Sequence, residues 1–141
     1  MRIAALDVGE KRIGIAVCDE MEIIASGVES YTRTGNDRKD LAYIANKLEE
    51  LGAKRVVIGL PLKLDGSEGI AAEKIRDFAF QLSKYTEIEQ AYQDERMTTA
   101  QAQRILIGAD VKRKKRKNVI DKMAAQLILQ AYMDTKGGVR T

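Results

Sequence analysis

Acidic side chains stand at three places in this chain where they can bind a divalent metal ion. Asp7 ends the first apolar run, and the pair Asp94–Glu95 ends another run near the middle. Asp121 lies on an apolar helical stripe further on, and a carboxylate in such a place is costly unless it is paired or bound to a cation. Carboxylate oxygens suit hard cations, whereas the absence of histidine and the single cysteine disfavour zinc. The sequence therefore predicts a shared site for Mg²⁺ or Mn²⁺.

A run of consecutive basic residues precedes Asp121. Its members are Lys112, Arg113, Lys114, Lys115, Arg116 and Lys117. Such a run is either a solvated loop or an arm that neutralises the phosphates of a nucleic acid, and its position just before the acidic helix favours the second interpretation. Near the other acidic motifs, Arg12 and Arg96 offer guanidinium groups that suit phosphate, and Thr98 offers a hydroxyl group. We expect these residues to contact nucleic acid.

Length and composition indicate one globular domain. The 141 residues are 45% hydrophobic and 32% charged, as in an ordinary folded protein. We assign residues 1–134 to this domain and expect residues 135–141 to form a disordered tail. The lone Cys18 cannot form an intramolecular disulfide and is typical of a reducing compartment. Because no apolar stretch is long enough to span a membrane and Arg2 leads directly into a strand without a signal-peptide pattern, we expect a cytoplasmic protein without membrane partners.

Apolar periodicity predicts the element order β-β-β-α-β-α-β-α-α. The predicted strands are 2–8, 12–19, 22–31, 54–60 and 87–93. The predicted helices are 37–51, 70–84, 98–107 and 119–133, with Asn36 or Asp37 capping the first, Asn118 capping the last, and a loop at 108–117. Short turns make the first three strands antiparallel, whereas strands four and five return through helices and lie parallel to the first. The carboxyl ends of strands one, four and five then share one edge of a five-stranded mixed sheet, where ligand sites form in open α/β folds.

Each acidic motif also has a purely structural interpretation. Asp7 with Gly9 can be an ordinary hairpin turn, and Asp94–Glu95 can be a capping cluster with Arg96 as its ion-pair partner. Asp121, in the first turn of the predicted last helix, can simply complement the helix dipole. The neighbours of Asp121 at i+3, i+4 and i+7 are apolar, however, so that its face should pack inward. That all of these structural interpretations hold together is less probable than that any one of them does.

Four ordered stretches of this sequence resemble the YqgF/RuvX family: LDVGEKRIGIAVCD, VVIGLPLKLDGSEG, DERMTTAQAQRIL and NVIDKMAAQLILQAYMD. The resemblance runs from Arg2 to about Asp134. It implies an RNase H-like α/β fold related to Holliday-junction resolvases. It also implies a cytoplasmic nuclease proposed to trim the 5′ end of precursor 16S rRNA during ribosome maturation, with ribosomal particles as further partners. By motif position, the acidic site of the family falls on Asp7, on the Asp94–Glu95 pair and on Asp121.

Only one member of the Asp94–Glu95 pair is expected to face the metal, because successive residues of a strand point to opposite faces. We favour Glu95, which is nearer the strand exit. Related resolvases carry their second acid after the fourth strand, where this chain has Leu60-Pro61, so the site must be completed from the fifth strand instead. The predicted catalytic residues are therefore Asp7, Glu95 and Asp121, with Asp94 as a further candidate metal ligand.

Other functions are compatible with the same residues. The nearest is the same hydrolysis on a Holliday junction or other structured DNA, since no residue can be identified that reads a 2′-hydroxyl group. A non-catalytic RNA-binding factor in ribosome assembly or transcription would need the basic run but not the acids. A sugar-kinase-like phosphotransferase would need two lobes, for which this chain is too short.

Overall fold

The computed structural model describes residues 1–96 and 113–135, with the helical backbone alone for residues 113–120. In these ranges five strands form one sheet, covered by helices on both faces. The strands are β1 (Ile3–Val8), β2 (Arg12–Cys18), β3 (Ala25–Thr32), β4 (Arg55–Leu60) and β5 (Glu89–Asp94); the helices are α1 (Asp37–Glu50), α2 (Ile70–Leu82) and α3 (Arg113–Thr135). None of these three helices is both long enough and apolar enough to cross a membrane.

The strands lie side by side in the order β3-β2-β1-β4-β5. The β1–β2 and β2–β3 pairs are antiparallel, and the β1–β4 and β4–β5 pairs are parallel, which confirms the predicted mixed sheet. Leu60 at the end of β4 is paired with Asp94 at the end of β5, and the Glu95 N–H donates to the Leu60 carbonyl oxygen at 3.3 Å. The acidic strand ends therefore share one edge with the end of β1, as the connection rules predict.

The two faces of the sheet are packed with side chains of different size. The face under α1 and α2 is filled mainly by large residues, among them Leu6, Ile13, Ile15, Ile44, Leu48, Ile58, Phe78 and Leu82. The face under α3 is rich in small residues, among them Ala5, Ala16, Cys18, Ala25 and Ala125. Two glycines bring α3 closer still, because a Cβ atom on Gly14 would collide with the Asp121 carbonyl oxygen and one on Gly27 would lie 3.2 Å from Lys122. Because the side chains of this face are small, α3 can approach the sheet closely, and this close approach determines the position of Asp121.

The strand β3 begins at Ala25, so the prediction that it begins at residue 22 is wrong. The Asp19 carboxylate accepts hydrogen bonds from the Ile23 and Ile24 N–H groups, both at 2.8 Å. Glu22 adopts a left-handed conformation with φ of 57°. Hydrogen bonds to the Asp19 side chain thus take the place of strand pairing at Ile23 and Ile24. These residues belong to the turn that joins β2 to β3.

The helix α3 begins at Arg113, so the predicted loop is wrong over residues 113–117 and Asn118 is not its cap. Lysine and arginine are good helix formers, and no glycine or proline occurs between residues 109 and 136 to stop the helix. Asp121 consequently lies about two turns inside the helix, which removes the explanation that it complements the helix dipole. The helix also includes Thr135, the first residue of the predicted tail. The rest of that tail and the predicted helix 98–107 lie outside the described residues.

Candidate active site

Asp7 lies at the centre of a row of residues that crosses the sheet near the end of β1. In β2 it is paired with Gly14, which is in turn paired with Ser30 of β3. On the other side lies Gly59 of β4, one residue beyond the Leu6–Ile58 pair. Paired residues of neighbouring strands lie about 4.5–5.5 Å apart. The side chains of this row can therefore contact one another and the side chains of α3, which covers this face of the sheet.

Glu95 follows β5 directly and reaches over Gly59 toward Asp7. A Cβ atom at position 59 would lie 2.5 Å from the Glu95 Oε2 atom and 2.7 Å from the Cδ1 atom of Ile128, which is closer than real contacts allow. The missing side chain of Gly59 therefore makes the space that the Glu95 carboxyl group occupies. The Glu95 and Asp7 side chains are joined by a hydrogen bond.

The Asp7–Glu95 pair has carboxyl groups that do not ionise independently. Burial raises the pKa of Glu95 to about 8, and the negative charge of Asp7 adds to this increase. Burial also raises the pKa of Asp7 to about 6, helped by the charge of Asp121 and opposed by the hydrogen bond from Glu95. At neutral pH the pair therefore retains one proton, with the Glu95 carboxyl group donating to the Asp7 carboxylate. A divalent cation would remove the repulsion that holds this proton in place.

Asp121 approaches the same row from above, on α3. Its Oδ2 atom accepts hydrogen bonds from the Arg12 Nε atom at 2.6 Å and from the Ser30 hydroxyl group at 3.0 Å. The Asp121 backbone lies over Gly14, the β2 partner of Asp7, and the charge of Asp121 contributes to the raised pKa of Asp7. Within the described ranges, however, no three cysteine, histidine or acidic side chains converge into a ready-made metal-binding group. The arrangement is thus a carboxyl pair with a third acid beside it, held by Arg12 and Ser30.

Asp94 does not join this arrangement. Its carboxylate lies 2.6 Å from the Nη2 atom of Arg96, whose Nη1 atom also donates to the Leu64 carbonyl oxygen at 3.2 Å. Although burial opposes ionisation, the hydrogen bonds from Arg96 keep the pKa of Asp94 below its ordinary value. Strand alternation accounts for the separation of Asp94 from Glu95. Of the other predicted nucleic-acid contacts, Thr98, Lys112 and the side chains of 113–117 lie outside the described residues.

Residues 1–135 match the family described as "RuvX: Holliday junction resolvase". The chain belongs to this family. It is 49% identical over 135 residues to a protein of Halalkalibacterium halodurans named "Putative pre-16S rRNA nuclease", with 95% of this chain and 96% of that protein covered. Proteins of the same name from Leuconostoc citreum and Carboxydothermus hydrogenoformans are 46% and 42% identical, with 97% and 96% of this chain and 97% and 98% of those proteins covered.

The fold of this RuvX-family chain is shared with solved structures of Thermus thermophilus RuvC. One, in complex with a Holliday junction substrate, gives a TM-score of 0.58 at 14% identity and covers 99% of this chain and 98% of that chain. A second RuvC structure gives a TM-score of 0.55 at 12% identity, with 99% of both chains covered. This likeness confirms the predicted RNase H-like fold.

Sequence reasoning missed two residues that shape the site of this RuvX-family protein. Ser30 sits in a polar stretch with nothing to mark it as a partner of Asp121. Gly59 lies within the predicted strand 54–60 without a role of its own there, although it provides the space for Glu95. A signal for Gly59 did exist, because a glycine inside an apolar strand often marks the close approach of another group.

Proposed function

We propose that this RuvX-family protein is a divalent-metal-dependent nuclease that processes the 5′ end of precursor 16S rRNA in the cytoplasm. The observation that carries the proposal is the Asp7–Glu95 pair with Asp121 beside it. Two carboxyl groups that share a proton at the edge of a sheet are costly without a cation, which favours a functional role over a structural one. The names of the similar bacterial proteins support precursor 16S rRNA as the substrate.

The donor set fits a hard cation, because it consists of carboxylate oxygens only. In this proposal Asp7 and Glu95 would hold Mg²⁺ or Mn²⁺, and Asp121 would complete the set from α3. The ion, when bound, supplies an activated water and stabilises the leaving oxygen of the phosphodiester. Glu95 must first release the proton that it donates to Asp7, so binding of the ion and loss of this proton are coupled. Arg12 fixes the position of Asp121 through the 2.6 Å hydrogen bond.

Basic residues provide the contacts with the nucleic-acid backbone in this proposal. Residues 113–117 of the run belong to α3 and precede Asp121 by about one to two turns, so they lie on the same helix as one of the three acids. Arg96, at the edge of the sheet, is a second cation close to the end of β5. Replacing the run by neutral residues should weaken RNA binding and flatten its dependence on salt concentration. An unchanged salt slope would exclude the run from binding.

A cleavage assay with purified protein tests the proposed function directly. Precursor 16S rRNA, free and in precursor ribosomal particles, is incubated with and without Mn²⁺, and Asp7→Asn is compared with wild type. We expect Mn²⁺-dependent cleavage by the wild-type protein and none by Asp7→Asn. The matched control is Asp134→Asn on the exposed end of α3, which should cleave normally. Equal cleavage by Asp7→Asn and wild type would refute the role of the acid pair.

A Holliday junction is the second candidate substrate, favoured by the description of the family and by the shared RuvC fold. Branched DNA assayed beside precursor rRNA separates the two, since faster Mn²⁺-dependent cleavage identifies the substrate. A non-catalytic RNA-binding factor would instead bind the rRNA with no cleavage in any metal and no effect of Asp7→Asn on binding.

A further inference from the structure

The third acid of the site, Asp121, is held both at its backbone and at its carboxylate. The backbone lies directly on β2, because a Cβ atom on Gly14 would collide with the Asp121 carbonyl oxygen. The Oδ2 atom of the carboxylate accepts hydrogen bonds from the Arg12 Nε atom at 2.6 Å and from the Ser30 hydroxyl group at 3.0 Å. These contacts restrain both the position and the rotation of the carboxylate.

Ser30 and Arg12 reach Asp121 from two neighbouring strands. Ser30 is paired with Gly14, and Gly14 is paired with Asp7, so Ser30 belongs to the row that crosses the sheet at Asp7. Arg12 precedes Gly14 by two residues in β2 and therefore lies on the same face of the sheet. The Arg12 and Asp121 side chains are only 28% and 20% exposed. Both hydrogen bonds involve a charged group, which makes them stronger than bonds between neutral groups.

Both hydrogen bonds fall on the same oxygen atom of Asp121. A carboxylate oxygen has two lone pairs that accept hydrogen bonds, so the two donors use both of them at Oδ2. A metal ion that bound through both oxygens of Asp121 would have to displace Arg12 or Ser30. The two donors therefore leave the Oδ1 atom as the oxygen that Asp121 can offer to a metal ion.

Divalent ions differ in how they use carboxylates. Ca²⁺ binds about six to eight oxygen atoms and accepts carboxylates that bind through both oxygens. Mg²⁺ requires near-octahedral geometry at about 2.0–2.1 Å, and Mn²⁺ is also typical of sites with octahedral oxygen ligands. A carboxylate that is restricted to one oxygen lowers the number of ligands available to Ca²⁺. It should therefore favour Mg²⁺ or Mn²⁺ over Ca²⁺.

We propose that Ser30 and Arg12 set the metal selectivity of this site by restricting Asp121 to one oxygen. The inference rests on the proposed function, because it concerns the ion that this function requires. In this role both residues act through Asp121 and are positioning residues. Removing one donor frees a lone pair of Oδ2, so that Asp121 can bind through both oxygens and Ca²⁺ gains affinity relative to Mn²⁺.

Metal binding in the absence of nucleic acid tests this inference. The affinities of the protein for Mn²⁺ and for Ca²⁺ are measured separately by isothermal titration calorimetry. Ser30→Ala removes one donor, whereas Ser30→Thr retains the hydroxyl group on a residue that suits a strand. Ser26→Ala is the matched control, because Ser26 is an exposed serine of the same strand. Melting curves establish that each variant is folded.

We expect the wild-type protein to bind Mn²⁺ more tightly than Ca²⁺. Ser30→Ala should lower the Mn²⁺ affinity about tenfold, the scale on which loss of a hydrogen-bond partner of a metal ligand acts. The Ca²⁺ affinity should stay equal or rise, so the ratio of the two affinities should fall at least as much. Ser30→Thr and Ser26→Ala should keep the wild-type ratio.

The ratio of the two affinities separates selectivity from a structural defect, which would weaken the binding of both ions alike. A ratio that Ser30→Ala leaves unchanged or raises would overturn the inference. A wild-type protein that binds Ca²⁺ as tightly as Mn²⁺ would overturn it as well.

Arg12→Met is an independent second variant, and it decides the question if Ser30→Ala does not fold. It removes a donor to Oδ2 together with a positive charge, and the loss of this charge strengthens the binding of both divalent ions. The ratio of the two affinities is therefore again the measured quantity, and it should fall as it does in Ser30→Ala. An unchanged ratio in Arg12→Met would overturn the role assigned to Arg12.

Asp7→Asn separates this inference from the proposed function. If Asp7→Asn loses Mn²⁺ binding while Ser30→Ala keeps the wild-type ratio, the metal site of the proposed function stands and the selectivity inference fails. If Ser30→Ala lowers the ratio but precursor rRNA is not cleaved in Mn²⁺, the proposed nuclease fails and the selectivity inference stands.

Discussion

Two acidic sites of this domain are wholly or partly buried, and their carboxyl groups are stabilised in opposite ways. Asp40 accepts hydrogen bonds from the Tyr31 hydroxyl group at 2.7 Å and from the N–H and hydroxyl groups of Thr34 at 3.0 and 2.9 Å. Although burial opposes ionisation, these donors hold the pKa of Asp40 below its ordinary value. Asp7 and Glu95 instead face each other, and burial raises the pKa of both.

The difference between the two sites distinguishes a structural carboxylate from a functional one in this fold. The Asp40 Oδ1 atom accepts hydrogen bonds from donors of its own chain, so the charge of Asp40 contributes to stability. The Asp7 and Glu95 carboxyl groups share a proton at neutral pH, and a cation from outside the chain would allow both of them to ionise there. Asp94 belongs with Asp40 in this respect, because Arg96 pairs with it. We therefore expect substitutions at the two sites to have opposite effects: loss of cleavage at the Asp7–Glu95 pair and loss of stability at Asp40.

The largest expected effect follows Glu95→Gln. The amide can still donate a hydrogen bond to Asp7, but it cannot bind a metal ion as a carboxylate does. We expect metal-dependent cleavage to fall by about two orders of magnitude or more, the scale on which loss of one electrostatic group acts at an active site. Thermal stability without metal should stay equal or rise. Cleavage rates and melting curves measure both, and a destabilised variant with normal cleavage would reverse the assignment of the two acidic sites.

Asp40→Ala should have the opposite pattern. The substitution leaves the Tyr31 and Thr34 donors without their acceptor, which should lower the free energy of unfolding by about 3 kcal/mol. Asp37→Ala is a matched control, since Asp37 also pairs with Arg33 at 3.6 Å but is exposed, and it should change stability far less. Denaturant unfolding of the three proteins measures the difference. Equal stability of both variants would show that the Asp40 hydrogen bonds contribute little.

Gly59→Ala tests whether the space over β4 positions Glu95. The added methyl group would lie 2.5 Å from the Glu95 Oε2 atom and 2.7 Å from Ile128, so one of them must move. Overpacking of this kind costs about 1–3 kcal/mol, and we expect cleavage to fall about tenfold as the carboxyl group is displaced. Gly27→Ala is the control, because it crowds Lys122 at 3.2 Å on the same face of the sheet. Similar losses of cleavage in both variants would mean that only the fit of α3 matters.

The sequence predicted most of the fold because local patterns determine it. The predicted strand 54–60 contains the continuous apolar run Val56, Val57 and Ile58, which is typical of a strand covered on both faces, and the connection rules then determine its neighbours. The start of α3 was missed because the capping signal at Asn118 is weaker than the helix propensity of the basic residues before it. The start of β3 was missed because the hydrogen bonds from Ile23 and Ile24 to Asp19 cannot be inferred from strand periodicity.

The candidate site was predictable only where strand geometry decides it. Asp7 and Glu95 are brought together because β1, β4 and β5 end at one edge, and alternation separates Glu95 from Asp94. The Arg12–Asp121 pair joins residues 109 positions apart in the sequence. It depends on how closely α3 approaches Gly14, which is a property of packing in three dimensions. No local pattern could have indicated it.

The smallest expected effect is a pH dependence of stability with opposite sign at the two sites. Asp7 and Glu95 have raised folded-state pKa values, so their contribution is fully present below the unfolded values and is lost as pH rises through about 6 and about 8. Asp40 has a lowered pKa, so its contribution is present at neutral pH and is lost only as pH falls through that lowered value. Without metal, the melting temperature should therefore decline from about pH 5 to above pH 8.

Glu95→Gln isolates the contribution of the pair to this profile. The substitution should reduce the decline of the melting temperature at alkaline pH. It should leave unchanged the loss of stability at acid pH, which depends on Asp40. Mn²⁺ should restore stability most strongly above pH 7, because the ion competes with the shared proton and gains affinity as that proton is released. Melting curves across this pH range, with chelator and with Mn²⁺, measure these effects. A wild-type profile that is flat above pH 6 in chelator would show that the pKa of Glu95 is not raised in the folded protein, and the contrast with Asp40 would then disappear.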